Sequence, residues 1–506
     1  MDLIYDELHY NQIDCPLGNK WYIPIDALRK TITPERVLEL MDTQETEQDL
    51  YNIGGRAKGI VRYSMRAFAT LVLVGRSNPI QDIISNEFID EHLPLIREAS
   101  GDRRCLVSLK DNGKIFKLSE DWKRSEVTAF LEKQWLFQAP ILDTRGRHLI
   151  LYLECAMPLR KPIEEIGNTE SSRVFTCEIH PAHYQDDSQD NKDHKGQVAI
   201  KEIRSEKSFR LEQKNLAAIQ DLNNPHLIKH IVTCQRDTLY YVVFPLADGG
   251  SLLSYWEQKN KVQRSGKLIL WALKQMLGLA DAVRALHHDL EGLVHLRHGD
   301  LKPANILHFE KGGSSSLVIA DLGVSSIYDK PTNQRIGETM TKATTRSYEA
   351  PEAYDDESKN KPRSRTYDVW SLGCVFLEFT IWLLYDFDAI KNFENNRLAP
   401  YENPHASFYE LRAGKAVVPE AVKQAIDALN EDPRLRDGSA LRPLIHLIAD
   451  KLLVTVVKNR FDAQKLHSEL QEIVQRAEQT PSSLLREADL PQFVPEIFDS
   501  SRNRNS

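Results

Sequence analysis

Hydrophobic and polar positions follow two rhythms along this chain, and each rhythm predicts an element. Gln197 to Ile203 alternates as a strand does, and Leu317-Val318-Ile319-Ala320 is a short apolar strand. Leu149 to Leu153 reads as a strand after the turn Thr144-Arg145-Gly146. Helical spacing appears at Ile80, Ile83, Ile84 and Phe88 after Pro79. Thr33-Pro34-Glu35 supplies an N-cap, a first-turn proline and a first-turn acid, with Val37 and Met41 following on one face. Between Ser208 and Leu222, Phe209, Glu212, Leu216 and Ile219 share one helix face. A carboxylate in that apolar stripe needs a partner, because burying an unpaired charge is costly. The most apolar run, Val369 to Tyr385, is interrupted by Glu378. It predicts a buried core helix and not a membrane span, which needs ~20 residues with few or no charges.

These elements divide the chain. Residues 1–155 mix helix and strand; from 156 come short strands, one helix and a long helical region. Asp186 to Gly196 is polar and predicts an exposed loop. From 477 the chain is polar, with Pro481, Pro491 and Pro495, and predicts a tail that is loose or packs as an extended segment. There is no internal repeat.

Composition narrows the function classes. The 506 residues suffice for several domains, and 41% hydrophobic with 27% charged residues is an ordinary globular mix. Sixty-five basic against seventy-three acidic residues leaves a net charge of −8, which argues against nucleic-acid binding as the main task. Arg56, Lys58, Arg62 and Arg66 form a basic cluster that reads as a solvated face, with an anion site as the alternative. Cys15, Cys105, Cys155, Cys177, Cys234 and Cys374 show neither close pairs nor zinc-ligand spacing, as expected of reduced thiols. The acidic N-terminus lacks the basic start and apolar core of a secretory signal, so an intracellular location, cytoplasmic or nuclear, is expected.

The chemistry-bearing signal is His298-Gly299-Asp300-Leu301-Lys302-Pro303-Ala304-Asn305, then Asp321-Leu322-Gly323, Ala350-Pro351-Glu352 and Asp368-Val369-Trp370-Ser371-Leu372-Gly373, with Val198-Ala199-Ile200-Lys201 upstream. In order and separation these motifs resemble the eukaryotic Ser/Thr protein kinase family over about residues 165–475. The resemblance implies an α+β, two-lobed kinase-like fold preceded by a mixed α/β N-terminal domain. The expected segments are 1–155, a small lobe at 156–246, a large lobe at 247–476 and a tail at 477–506. It also implies Mg²⁺-ATP-dependent phosphorylation of serine or threonine in protein substrates, with ATP lying in the cleft of the two lobes.

Site roles follow from the same resemblance. Asp300 matches the aspartate that accepts the hydroxyl proton, and Lys302 places a cation near the transferring phosphate. Asn305 and Asp321 supply the hard oxygen ligands that Mg²⁺ prefers. Lys201 matches the lysine that holds the α- and β-phosphates, with Glu212 as its carboxylate partner. Many family members place that glutamate ten residues before the proline after the helix, and this count from Pro225 lands on Asn215 instead.

The glycine-rich loop is degenerate. Its pattern aligns with Gly167, Thr169, Ser172 and Val174, and only the first glycine survives. Glycine lets backbone approach phosphate closely; one lost hydrogen bond would cost about 1 kcal/mol. By the resemblance Val174 covers one face of the adenine, with simple strand core as the alternative, Ala199 is a cofactor-binding residue, and Val243 to Leu252 resembles the hinge of the family. There Phe244 guards the back pocket, Pro245 offers its carbonyl and Ala247 offers an N–H and a carbonyl.

Thr345, seven residues before Glu352, matches the threonine that contacts the catalytic aspartate and lysine, and it favours Ser/Thr acceptors. Asp368 is expected to hold the catalytic-loop backbone, and Glu352 with Arg460 to form a buried ion pair. The usual arginine before the catalytic aspartate is Gly299 here. That arginine anchors an activation-loop phosphate, so activity is expected not to require phosphorylation of Ser325, Ser326, Thr339, Thr341 or Thr344. Two other readings stay open. His-Gly-Asp-Leu also opens the catalytic loop of small-molecule kinases, which lack Ala-Pro-Glu and the Asp-Val-Trp-Ser-Leu-Gly helix. A pseudokinase serving as a nucleotide-binding scaffold would fit the degenerate loop. The first 155 residues are expected to regulate the kinase or to recruit a partner.

Overall fold

Alternation along Gln197–Ile203 sorts the side chains of its first five residues, with Val198 and Ile200 buried and Ala199 and Lys201 partly exposed; at its end the pattern breaks, Glu202 being partly exposed and Ile203 buried. The computed structural model describes residues 1–41, 47–99, 102, 104–111, 113–185, 196–260, 262–290, 295–311, 313–323, 326–328, 346–353, 364–398, 405–435, 438–484 and 494–499. They form two compact units: Met1–Glu206 with His230–Leu246, and Lys207–Lys229 with Ala247–Ser506.

Unit 1 begins with helices α1 (Asp2–Tyr10), α2 (Ile25–Thr31), α3 (Pro34–Leu38), α4 (Glu47–Tyr63), α5 (Met65–Val74), α6 (Pro79–Asn86) and α7 (Arg124–Lys133). Thr33 caps α3 as its sequence implies, accepting from Arg36 N–H at 3.4 Å. The strands in this part are β1 (Ile13–Cys15) with β2 (Lys20–Tyr22), and β3 (Leu95–Arg97), β4 (Cys105–Ser108) and β5 (Ile115–Lys117). Ile80 and Ile83 of the helical pattern are buried in one core with Phe68, Phe88 and Phe130, while Ile84 stays exposed.

A six-stranded sheet forms the rest of unit 1. Its strands are β7 (Arg147–Leu151), β8 (Leu159–Asn168), β9 (Ser172–Ile179), β11 (Gln197–Ile203), β12 (Val232–Arg236) and β13 (Leu239–Pro245), in the order β7-β12-β13-β11-β9-β8. A short parallel pair, β6 (Leu142–Asp143) and β10 (Tyr184–Gln185), lies outside it. Strand β7 is the one anticipated at Leu149–Leu153, begun two residues earlier, and it pairs in parallel with β12. The boundary expected at 155 therefore falls inside unit 1, and the sheet core includes Cys15, Leu17 and Tyr22 beside Val198, Ile200 and Val243. Tyr22 Oη donates to Leu159 O at 3.2 Å, and Ile25 N–H donates to His183 Nε2 at 3.0 Å, which ties the first 155 residues to that sheet.

Unit 2 contains α8 (Glu206–Ile219, from Lys207 onward), α9 (Leu252–Gln258), α10 (Gly266–His288), α11 (Thr366–Leu384), α12 (Phe387–Leu398), α13 (Glu420–Glu431), α14 (Leu441–Leu447) and α15 (Ala463–Gln479). Its strands are short: β14 (His295–Arg297) with β17 (Ser326–Tyr328), β15 (Ile306–Lys311) with β16 (Ser314–Ile319), and β18 (Glu410–Arg412) with β19 (Lys415–Val417). Helix α11 is long and apolar enough to cross a membrane, but it is buried from Tyr367 to its end as the core helix of this unit. Beyond α15, Phe498 packs its ring 4.9 Å from that of Tyr385, and Asn392 Nδ2 donates to Phe498 O at 2.9 Å. This part of the tail is thus docked on α12 through a single turn, Glu496–Phe498.

Candidate functional site

Asp368, in the first turn of α11 and fully buried, organises the loop after β14. Its Oδ2 accepts from His298 N–H at 2.9 Å and from His287 Nε2 at 2.8 Å; its Oδ1 accepts from Gly299 N–H at 2.8 Å. Burial pushes the Asp368 carboxyl up, but these hydrogen bonds and the charge of His287 outweigh it and hold the group below its ordinary value. Gly299 adopts φ +84°, a conformation that glycine takes without steric cost. His298 Nδ1 accepts from Asp300 N–H at 3.3 Å, so the proton sits on Nε2, which donates to Ala320 O at 2.9 Å.

This framework gathers four of the expected residues. Lys302 Nζ lies 2.9 Å from Asp300 Oδ2. Asn305 Nδ2 donates to the same oxygen at 3.0 Å and to Asp300 O at 2.8 Å. The Asn305 carbonyl accepts from Ala320 N–H at 2.9 Å, which places Asp321 two residues beyond the hairpin of β15 and β16. Asp321 takes φ +65°, a left-handed conformation that is uncommon outside glycine and best tolerated by Asp and Asn. Because the amide nitrogen of Asn305 is committed to Asp300, its Oδ1 remains for a hard cation, and the Asp321 carboxylate supplies a second oxygen. Two such ligands fit Mg²⁺, which takes one or two protein oxygens and completes its shell with phosphates and water.

Helix α8 starts near the expected Ser208 and ends three residues before Leu222, at Ile219. Phe209, Glu212, Leu216 and Ile219 are all buried, so Glu212 is not a surface acid. Asn215, the residue on which the count from Pro225 lands, is buried too, and its Nδ2 donates to Leu322 O at 2.8 Å. Asn215 thereby links α8 directly to the Asp321-Leu322-Gly323 segment. That count was the signal for it.

Unit 1 brings the nucleotide-side candidates onto one sheet face. Val174 stands opposite Lys201, and Lys201 opposite Val242; Ala199 stands opposite Phe244. Gly167 stands opposite Val174. Residues directly across a ladder point to the same face. Pro245 stands opposite Val198 at the end of β13, and Ala247 lies in unit 2, where its carbonyl accepts from Gly250 N–H at 3.1 Å.

The β8–β9 hairpin is closed on itself. Thr169 Oγ1 accepts from Ser172 N–H at 3.1 Å, and Thr169 N–H donates to Ser172 O at 2.8 Å. Arg204 fastens the tip, donating to Asn168 Oδ1 at 2.8 Å, while its own N–H donates to Ser171 O at 3.0 Å. The two residues that replace loop glycines thus spend their N–H groups within the turn.

Thr345, with Ser325, Thr339, Thr341 and Thr344, lies outside the described residues, and so does the side chain of Ser326. Glu352 and Arg460 form the anticipated ion pair, bidentate at 2.8 and 3.0 Å, with Arg460 fully buried.

Comparison with known proteins bears on the same residues. The model of the protein kinase domain matches residues 182–439, a little over half of the chain, and leaves the β8–β9 hairpin outside. The calcium/calmodulin-dependent protein kinase cmkA of Emericella nidulans is 30% identical over 184 residues, which are 36% of this chain and 40% of that protein. The probable serine/threonine-protein kinase fhkD of Dictyostelium discoideum is 31% identical over 200 residues, covering 37% of this chain and 24% of that one. The serine/threonine-protein kinase PKH3 of Eremothecium gossypii is 31% identical over 178 residues, 33% of this chain and 21% of the relative. The chain spans less than half the length of each of these relatives.

Proposed function

The chain belongs to the eukaryotic-type Ser/Thr protein kinase family, and from that premise we propose that it phosphorylates serine or threonine in protein substrates, using ATP and Mg²⁺. The observation that carries this reading is the cluster on Asp300, whose carboxylate is held by Lys302 and Asn305 while Asp368 fixes the backbone just before it. Phosphoryl transfer asks for positioning and charge neutralisation more than for covalent chemistry. In this proposal Asp300 receives the proton of the acceptor hydroxyl, and Lys302 sets a cation beside it. Asn305 and Asp321 hold Mg²⁺, which supplies charge neutralisation at the phosphates. Lys201, partly exposed on the sheet face it shares with Val174, Ala199 and Phe244, is the cation for the nucleotide phosphates. Glu212 enters as the buried carboxylate of α8. Gly299 carries no side chain for an activation-segment phosphate, so transfer proceeds without phosphorylation of that segment. The six cysteines are free and buried, which supports a reducing, intracellular setting.

The test is transfer of labelled phosphate from Mg²⁺-ATP to generic protein acceptors. Transfer to Ser and Thr, lost in Asp300→Asn, is expected; unaltered transfer in that variant would remove Asp300 from the role. The closed β8–β9 hairpin favours a second reading, a nucleotide-binding scaffold without turnover. Metal-dependent nucleotide binding with no transfer to any acceptor would select it.

A further inference from the structure

A cavity of ≈ 320 Å³ in unit 1 lies among residues that the kinase reading does not use. Arg66 and Lys110 line it together, and no carboxylate is among the lining residues. Arg66 belongs to the basic cluster whose other members, Arg56, Lys58 and Arg62, are exposed as a solvated face; Arg66 alone is partly buried. It sits in the first turn of α5. Asp90 interacts with both cations and offsets part of their charge, its carboxylate accepting from the N–H groups of Arg66 and Ala67 at 2.9 and 3.1 Å. Burial, then the charge of Arg66, holds the Lys110 amine below its ordinary value.

The rest of the wall is complementary. Gln138 lines the cavity as well, and its buried amide nitrogen has no hydrogen-bond partner among the described residues. Trp135 and Tyr152 form an aromatic side, their ring centroids 5.6 Å apart. A larger cavity of ≈ 580 Å³ shares these two rings, but there Lys20 and Arg97 are matched by Glu132 and Glu154, whereas the smaller one is lined by cations without a carboxylate. A volume of this size is at the lower end for small-molecule pockets, roughly 300–1,000 Å³.

We propose that this cavity binds a small organic oxyanion, a phosphate or carboxylate carried on an aromatic or apolar body. Arg66 and Lys110 take the oxyanion through charge-assisted hydrogen bonds, and Trp135 and Tyr152 cover the body. The test titrates the full chain by calorimetry and ligand-observed NMR with phenyl phosphate, benzoate and the neutral benzyl alcohol. Saturable binding of phenyl phosphate or benzoate, well above that of benzyl alcohol, is expected, and the stronger of the two identifies the oxyanion. Lys110→Met, which removes one of the two cations, should weaken it by roughly tenfold. Tyr152→Ala should weaken it independently with the melting temperature preserved. Absence of binding at millimolar concentration, equal binding of benzyl alcohol, or an affinity unmoved by Lys110→Met would each overturn the proposal. Kinase activity is not the readout, so its loss would not be mistaken for failure of this site.

Discussion

Arg397 and Glu378 form an ion pair at 3.0 Å in which each side chain is only 2% exposed. Glu378 is the acid that interrupts the apolar run of α11. Tyr348 Oη donates to its other oxygen at 2.9 Å, and the Arg397 guanidinium lies 4.0 Å from the ring centroids of both Phe393 and Phe408. Burial raises the Glu378 carboxyl above its ordinary value, against the opposing pull of Arg397 and Tyr348. The pair fastens α11 and α12 to the segment that precedes Ala350-Pro351-Glu352. Arg397→Met strands a buried carboxylate and should cost about 3–5 kcal/mol, read as a fall in the urea midpoint at neutral pH. Adding Glu378→Leu should recover most of the loss, because no buried charge is then unpaired. A single variant as stable as the wild type would show that the pair contributes nothing.

Asp368 and Asp300 should separate stability from chemistry. Asp368→Ala orphans two buried N–H groups and a His287 bond, each worth about 1–3 kcal/mol, so both the melting temperature and transfer should collapse. Asp300→Asn keeps the loop in place. It should leave the melting temperature and ATP affinity close to wild type while lowering turnover by roughly 10²–10⁴-fold. A melting temperature that fell equally in both variants would contradict this division.

Thr169→Gly frees the Ser172 N–H from its side-chain acceptor and loosens the hairpin tip, leaving its backbone bond in place. If the closed turn limits nucleotide binding, Mg²⁺-ATP affinity should rise by roughly fivefold, the worth of about one hydrogen bond. Thermal shift against ATP concentration measures this; an unchanged or lower affinity would remove the turn as the limiting feature.

His230 gives unit 1 an acid limit. It is 3% exposed, its Nε2 is bonded to Gly146 O at 3.0 Å, and burial holds its imidazole down to about 4, from an ordinary 6.5. The unfolded chain therefore binds a proton that the folded one refuses between these values, so stability is full above pH 6.5 and is lost as pH falls toward 4. The loss at pH 4 amounts to about 3 kcal/mol. His230→Phe should flatten this part of the urea midpoint against pH, and a slope identical to wild type would refute the assignment.

Legibility in the sequence tracked the range of the interaction. Lys302 and Asn305 reach Asp300 from two and five residues away, so a contiguous motif already contained the cluster. The faces of α8 and β11 followed from periodicity, because side-chain direction repeats with the backbone. Asn215 was marked only as the place where a count landed, and its contact with Leu322 needed 107 residues of chain to return.

The sequence by itself determined the local elements, the buried character of α11 and the residue types gathered around Asp300, since propensity, periodicity and short hydrogen bonds act over a few residues. Only the tertiary structure decided that β7 joins the sheet beside β12, that Asp368 holds Gly299 across 69 positions, that Arg397 answers Glu378, and that Arg66 turns from a solvated helix face into a cavity. Those pairings are chosen by packing, which minimises unpaired buried charge and exposed apolar surface over the whole unit, and no local pattern of residues encodes that minimum.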